Sequence, residues 1–309
     1  VIMKFPEQLL FMKNRKAVQK HSDESMNGKL CVVSGATSGV GYETIKKLAA
    51  GKANIVMLVR NENKAKAVKE EIEKKHSVFV DYFIADFSDL KQVKKAVLEI
   101  SEKYPRVDVL INSAGLYSTK RIVNEEGYEM VFCVNHLATF LITKLLMNKL
   151  IESSPSRIIQ VNSEGHRFNG LNVDDLNWEK RTYTGLRSYG ASKTAQLLTV
   201  WKFAQELKGT GVTINAMHPG GVRTNIGNNN GRLYRWFLHH ITWHFLKDPK
   251  ISGEAIYYLA SASELNNVSG VFFNLTIKEK PAKHALNTKK QEEIWNKSLE
   301  MTGLIKKDG

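Results

Sequence analysis

The stretch Leu30-Cys31-Val32-Val33-Ser34-Gly35-Ala36-Thr37-Ser38-Gly39-Val40-Gly41 runs a short apolar segment straight into a glycine-rich turn. The apolar run reads as a strand, and helical spacing resumes after Gly39. Glycines allow a tight turn and a close backbone approach to another group. The new helix directs its unpaired N–H groups and positive dipole end outward, which suits a pyrophosphate. Gly35, Thr37, Ser38, Gly39, Val40 and Gly41 are therefore candidate dinucleotide contacts. A purely structural glycine turn is the alternative.

Outward from this turn, apolar runs alternate with longer helical periods. Candidate strands are Leu30–Ser34, Asn54–Val59, Val78–Ile84, Val107–Asn112, Arg157–Asn162, Thr213–Met217 and Val271–Phe273. Helical stretches fall near 39–51, 61–75, 88–103, 125–152, 186–208, 250–262 and 288–301, the last carrying Ile294, Trp295 and Leu299 at helical spacing. Such alternation predicts an α/β fold: a Rossmann-type doubly wound parallel sheet of about seven strands with helices on both faces. One domain is expected over 29–303, with a leader over 1–28 and a tail over 304–309. Residues 226–248 interrupt the alternation with an aromatic-rich insertion that includes Trp236. Its placement after the sixth strand suits a wall over an apolar substrate, or an amphipathic helix capping the core.

The chain of 309 residues is long enough to bury a large core, and its 42% hydrophobic and 25% charged residues are ordinary for a globular protein. A net charge of +14 admits an anionic partner, but the lysines are interleaved with glutamates, as in Lys69-Glu70-Glu71-Ile72-Glu73-Lys74-Lys75. No nucleic-acid motif or metal-ligand spacing accompanies them, so neither a nucleic-acid partner nor a metal is expected. Cys31 and Cys133 lie in apolar segments and read as buried free thiols, which suits a reducing, cytoplasmic setting. No stretch reads as long enough to span a bilayer; Met130–Thr143 is uncharged but short. In the leader, Phe5, Leu9, Leu10 and Met12 suit one apolar helix face, docked on the protein itself or in peripheral contact with a membrane surface.

The second strand ends at Leu58-Val59-Arg60, without the acidic residue that bonds ribose hydroxyls in NAD sites. Arg60 suits a 2′-phosphate instead, with Asn61 and Lys64 beside it, so NADP(H) is favoured over NAD(H). Tyr189-Gly190-Ala191-Ser192-Lys193 sets a phenol and an ammonium one helical turn apart. The ammonium is expected to lower the phenol's pKa and fit it for proton exchange with a substrate oxygen.

Taken together, the motifs resemble the short-chain dehydrogenase/reductase family over roughly residues 28–303. The family's T-G-x-x-x-G-x-G appears as Ser34 to Gly41, with serine in place of threonine. Its N-N-A-G appears as Asn112-Ser113-Ala114-Gly115, with the second asparagine lost. Asn135 lies in Val134-Asn135-His136-Leu137, Ser163 in Val161-Asn162-Ser163-Glu164-Gly165-His166, and His218-Pro219-Gly220-Gly221-Val222-Arg223-Thr224 completes the set. The resemblance implies that Tyr189 exchanges the proton. Lys193 would lower its pKa and hold the nicotinamide ribose. Ser163 would bond the substrate oxygen, and Asn135 would position a water that links Lys193 to solvent. It also implies cofactor contacts from Asp86, Phe87, Asn112, Ala114, Gly115, Pro219, Gly220, Val222 and Thr224.

The histidines His136, His166 and His218 have no required part in this chemistry; His166 and Trp236 are expected at most to line the substrate pocket. Ser163 and Tyr189 lie 26 positions apart, a wider gap than many members carry. That gap, Asp175-Leu176-Asn177-Trp178 and Ser269-Gly270-Val271-Phe272-Phe273 resemble the retinol dehydrogenase-like branch. The implied reaction interconverts a hydrophobic carbonyl (retinoid-, steroid- or fatty-aldehyde-like) with its alcohol, and the family also suggests a homodimer. A catalytically silent module binding NADP(H) or lipid is the alternative.

Overall fold

The first strand, β1 (Leu30–Ser34), is buried throughout, because helices cover both faces of the sheet it sits in. The computed structural model describes residues 17–222 and 248–305. In it β1 is followed by α1 (Gly39–Ala50), β2 (Asn54–Val59), α2 (Glu62–His76), β3 (Val80–Ile84), α3 (Leu90–Lys103) and β4 (Val109–Asn112). The second half holds α4 (Met130–Glu152), β5 (Ser156–Val161), α5 (Gly185–Glu206) and β6 (Val212–His218). It ends with α6 (Lys250–Ser261), β7 (Phe272–Asn274), β8 (Ile277–Lys278) and α7 (Thr288–Met301). The strand order is β3-β2-β1-β4-β5-β6-β7-β8; only the β7–β8 pair is antiparallel. The fold is the doubly wound α/β sheet expected. It gains an eighth strand, whose two residues carry too little pattern to be read from sequence.

Alternate residues of the strands feed two cores. Val32 and Leu110 face the core beneath α3, α4, α5 and α7, while Cys31, Val33, Val109 and Ile111 face the core beneath α1, α2 and α6. Both cysteines are free and buried. On the first side, Trp295 of α7 packs edge-on against Phe140 and Phe203, with ring centroids 5.1 and 4.7 Å apart. The apolar helix α4 is long enough to cross a membrane, contrary to the shorter segment read from sequence; 72% of it is buried inside the fold. It is also not one regular helix. A π turn, Cys133–Leu137, interrupts it, and such turns often mark functional positions.

The sequence reading ends a leader at residue 28, yet residues 20–26 are already bonded into the domain. Lys20 N donates to Thr276 Oγ1 (2.8 Å), the Tyr257 hydroxyl donates to the Glu24 carbonyl (2.6 Å), and Met26 is buried. The apolar leader residues Phe5 to Met12 lie outside the described residues.

Between β1 and β4 the order in which strands are added to the sheet reverses, though the two strands run parallel. Open α/β sheets bind ligands beyond the carboxyl ends of strands at such a reversal. The glycine turn after β1 and the turn after β4 both open there.

Candidate active site

Gly35 takes a positive φ of +69°, and a Cβ built there would lie 2.8 Å from the Ala114 Cα. The turns after β1 and β4 therefore touch through backbone, and only glycine permits it. The Ser34 hydroxyl fastens them further by accepting from the Ser113 and Ala114 N–H groups (3.0 and 3.1 Å). A Cβ at Gly41 would lie 2.4 Å from the Gly35 carbonyl oxygen, so this glycine sets the closeness of helix to strand. Ser38 stands at the N-cap of α1, but its side chain makes no capping bond, and the first turn holds no acidic residue. By contrast, Asn61, Asp89, Thr184 and Asn287 cap α2, α3, α5 and α7. The first N–H groups of α1 thus remain free of any side-chain cap, as a bound pyrophosphate requires. The residues fit a dinucleotide.

Arg60 stands at the end of β2, 66% exposed, with Nη1 4.0 Å from Asp86 Oδ2. An exposed pair this loose is weak, so Arg60 can turn to an anion. Asp86 Oδ1 accepts from the Ser88 N–H and hydroxyl (2.9 and 2.7 Å). Three expected contacts are placed differently. Asn61 spends its side-chain oxygen on the Lys64 N–H as the cap of α2. The Phe87 side chain packs in the core, and Asn112 is fully buried with Nδ2 on Thr143 Oγ1 (2.9 Å). Phe87 has only backbone to offer a ligand, whereas Asn112 Oδ1 is buried without a hydrogen-bond partner among the described residues. Gly115 is exposed at the cleft, beside the buried Ala114.

At the other end, β6 leads into Pro219 and Gly220; Ser252 Oγ donates to the Pro219 carbonyl (2.6 Å), Gly220 has φ +85°, and Val222 is buried. Thr224, Trp236 and all of the aromatic insertion except residue 248 lie outside the described residues.

The catalytic candidates meet at the carboxyl end of β5 and the start of α5. Ser163, two residues beyond β5, caps the 3-10 turn Glu164–Phe168, its hydroxyl accepting from the Gly165 N–H (3.0 Å). The same hydroxyl and the Tyr189 ring stand side by side, both against Gly165. Gly165 makes that meeting possible: a Cβ there would lie 2.8 Å from Tyr189 Cε1 and 3.3 Å from Ser163 Oγ. Tyr117 stacks edge-on against the Tyr189 ring, centroids 5.8 Å apart. Burial holds the phenol above its usual pKa, opposed by the neighbouring Ser163 hydroxyl.

Lys193 Nζ lies 5.7 Å from the Tyr189 ring centroid. It donates inward, to the Val161 carbonyl (3.1 Å) and to Gln196 Oε1 (3.0 Å). Burial lowers its pKa to about 7. Burial sets the direction of the Tyr189 shift, upward, against the lowering expected from Lys193.

Asn135 sits in the π turn, fully buried. Its side chain accepts from Leu116 N (2.7 Å) and donates to Leu116 O and Ser192 Oγ (both 3.0 Å). Its carbonyl accepts from Thr139 Oγ1 (2.9 Å) and from Gln196 Nε2. The Gln196 amide spans the Asn135 carbonyl and Lys193 Nζ.

His166 is corrected as a substrate-lining residue. It is fully buried; Nδ1 donates to the Ser163 carbonyl (2.7 Å) and Nε2 accepts from Ala282 N (3.1 Å), leaving neither ring nitrogen for a ligand. Burial holds its pKa to about 3, so it stays neutral and pins the Ser163 turn to the segment after β8. His136 is buried likewise, with Nε2 against Ser298 Oγ (2.7 Å).

Glu129, not singled out in the sequence, is fully buried before α4. Its carboxylate accepts from Val131 N, Phe132 N, the Ser188 hydroxyl and the Tyr183 hydroxyl (3.1, 2.8, 3.1 and 3.2 Å). Burial pushes its pKa up and these donors oppose the rise. Through Ser188 it anchors the first turn of α5, immediately before Tyr189. Gln196 was also missed; its one sequence signal is a place one turn beyond Lys193.

A hydroxyl and a phenol thus converge beside an ammonium, at the same sheet edge as an uncapped helix terminus. Residues 29–233 match the family model described as short chain dehydrogenase. Among named relatives, human retinol dehydrogenase 13 is 36% identical over 92% of this chain and 87% of its own length. Human retinol dehydrogenase 14 is 34% identical over 91% and 88%. Among solved structures, an uncharacterised Mycobacterium paratuberculosis protein superposes with a TM-score of 0.73 at 25% identity, covering 91% of this chain and 95% of its own. A blue fluorescent protein from a metagenomic library, in complex with NADPH, gives 0.64 at 25% identity over 81% and 97%. The chain belongs to the short-chain dehydrogenase/reductase family of oxidoreductases.

Proposed function

We propose that this protein interconverts a hydrophobic carbonyl compound and its alcohol with NADP(H), using Tyr189 as the proton donor and acceptor. One observation carries the reading: the Ser163 hydroxyl and the Tyr189 phenol meet at the same sheet edge as the free N-terminus of α1. The bound nicotinamide supplies or takes up the hydride. In the reductive direction Tyr189 gives its phenolic proton to the carbonyl oxygen, and the new C–H bond takes the hydride, so the alcohol forms with charge balanced. Ser163 donates to the same oxygen as negative charge develops there. Lys193 holds positive charge behind the phenol and steadies the ribose. Gly35, Gly39 and Gly41 bring backbone to the diphosphate, and Arg60 meets the 2′-phosphate.

The retinol dehydrogenase relatives support a retinoid-like or otherwise lipid-like substrate. So does the aromatic-rich segment 226–248 of the sequence, since pockets for such molecules are mostly apolar. The NADPH complex of the metagenomic blue fluorescent protein supports the choice of NADP(H).

The test is a panel of retinal, steroid ketones and aliphatic aldehydes, incubated with NADPH and with NADH while nicotinamide absorbance is followed. Turnover of at least one lipid-like carbonyl, faster with NADPH, is expected. Binding of NADPH with no turnover across the panel contradicts the reading and leaves the silent binding module in its place.

A further inference from the structure

Gln196 lies on α5 one turn beyond Lys193 and is 1% exposed. All four hydrogen-bonding positions of its amide are filled. Oε1 accepts from Lys193 Nζ and from Asn162 Nδ2 (both 3.0 Å). Nε2 donates to the Asn135 carbonyl and, at 3.4 Å, to Thr139 Oγ1. Both neighbours of Oε1 are donors, so the amide has one orientation only. On its far side, Gln196 reaches the Asn135 carbonyl within the π turn. Thr139 Oγ1 and Gln196 Nε2 fill its two lone pairs.

Given the proposed oxidoreductase function, on which this step rests, we infer that Gln196 is the positioning residue for Lys193, tying the catalytic ammonium to the π turn of α4 through one buried amide. An amide transmits position and polarity but does not pass a proton along, so the link fixes Lys193 rather than relaying protons from Asn135. An acceptor bonded to the charged form of a buried amine favours that form. Gln196 Oε1 thereby works against burial, which lowers the Lys193 pKa to about 7. The titratable groups on elements packed against α5 are Glu164, His166 and Arg167 on the 3-10 turn, His218 on β6, Cys133 and His136 on α4 with Glu129 just before it, Lys283 and His284 on the turn before α7, and Lys289, Lys290, Glu292, Glu293, Lys297 and Glu300 on α7. Burial, rather than the charge of any of these, moves Lys193. Its charge therefore depends on the acceptors it touches, Val161 O and Gln196 Oε1.

The experiment is Gln196→Met, which keeps the length of the side chain and removes its polar atoms, in the full chain. Tyrosinate absorbance is titrated, with Tyr189→Phe as the subtraction standard, and the pH profile of turnover is measured beside it. The ionisation midpoint of Tyr189 is expected to rise by about one unit, as when a nearby positive charge weakens. The turnover profile moves the same way, with kcat falling about tenfold and the KM for substrate little changed. A folded Gln196→Met with both profiles unmoved overturns the inference and leaves Gln196 as core filling. If the parent binds NADPH but turns over no carbonyl, the oxidoreductase reading fails, and the tyrosinate titration still decides the part played by Gln196. Should Gln196→Met not fold, the nitrogen-15 signal of the Gln196 amide in the parent decides. It titrates with Lys193 and goes flat in Lys193→Met if the tie exists, and is pH-independent in both if it does not.

Discussion

The two ends of the cleft are built by different means. The turn after β1 is held by backbone: Gly35 against Ala114, Gly41 against the Gly35 carbonyl, and helix N–H groups left uncapped. The start of α5 is held by buried polar side chains. Glu129 grips Ser188, Asn135 grips Leu116 and Ser192, and Gln196 grips Lys193. A backbone site tolerates no added Cβ but asks little of side-chain chemistry. A side-chain site tolerates shape changes poorly and polarity changes worse, because each lost partner leaves a buried group unsatisfied.

This contrast can be broken first at Gly41. Alanine there places a methyl against the Gly35 carbonyl. Overpacking of this kind costs about 1–3 kcal/mol, and NADPH affinity, read by nucleotide fluorescence, is expected to fall more than about tenfold because α1 must shift. A Gly41→Ala protein with parental affinity denies that backbone closeness builds this end. A comparable effect is expected at Arg60. Arg60→Ala removes a charge-assisted bond, of about 1.5–3 kcal/mol, and the KM for NADPH should rise at least about tenfold while that for NADH stays level. Equal changes for both cofactors remove Arg60 from recognition of the 2′-phosphate.

A separate effect is in stability against pH. His136, His166 and His218 are held neutral by burial, at about 3, 3 and 4, against an ordinary 6.5. Below 6.5 the unfolded chain binds protons that the folded one refuses, so stability falls as pH drops through this range. Glu164 works the other way. Burial first, then the charge of Glu279, raise its carboxyl to about 7 from an ordinary 4.5, so between these values the folded chain binds the extra proton, and stability is lost as pH rises. Glu129 has the same sign. The histidines outnumber the two glutamates, and the melting temperature should fall between pH 6.5 and 4.5. Glu164→Gln removes one opposing group and should steepen that fall; a shallower one contradicts the assignment.

The same contrast explains what could be read from the sequence. Glycines mark backbone conformations directly, so Gly35, Gly39 and Gly41 announce their turn, and strand alternation announces the sheet. Tyr189 and Lys193 announce themselves by helical spacing. Gln196, Glu129 and Gly165 do not, since what matters about each is a partner between 24 and 61 positions away in the chain. Asn135 was legible as a position but not in its bonding, which the π turn decides. His166 was misread in its block of the pocket because nothing local shows that Ala282, far along the chain, takes its second nitrogen.

The most direct measurement pairs NADPH affinity with turnover in Tyr189→Phe, since this change removes one hydroxyl at the side-chain end and touches nothing at the backbone end. Unchanged NADPH affinity with turnover reduced by about a thousandfold, within the range general acid–base catalysis supplies, is the expected result. Turnover near the parental rate, or loss of NADPH binding along with it, would contradict the division of labour between the two ends of the cleft.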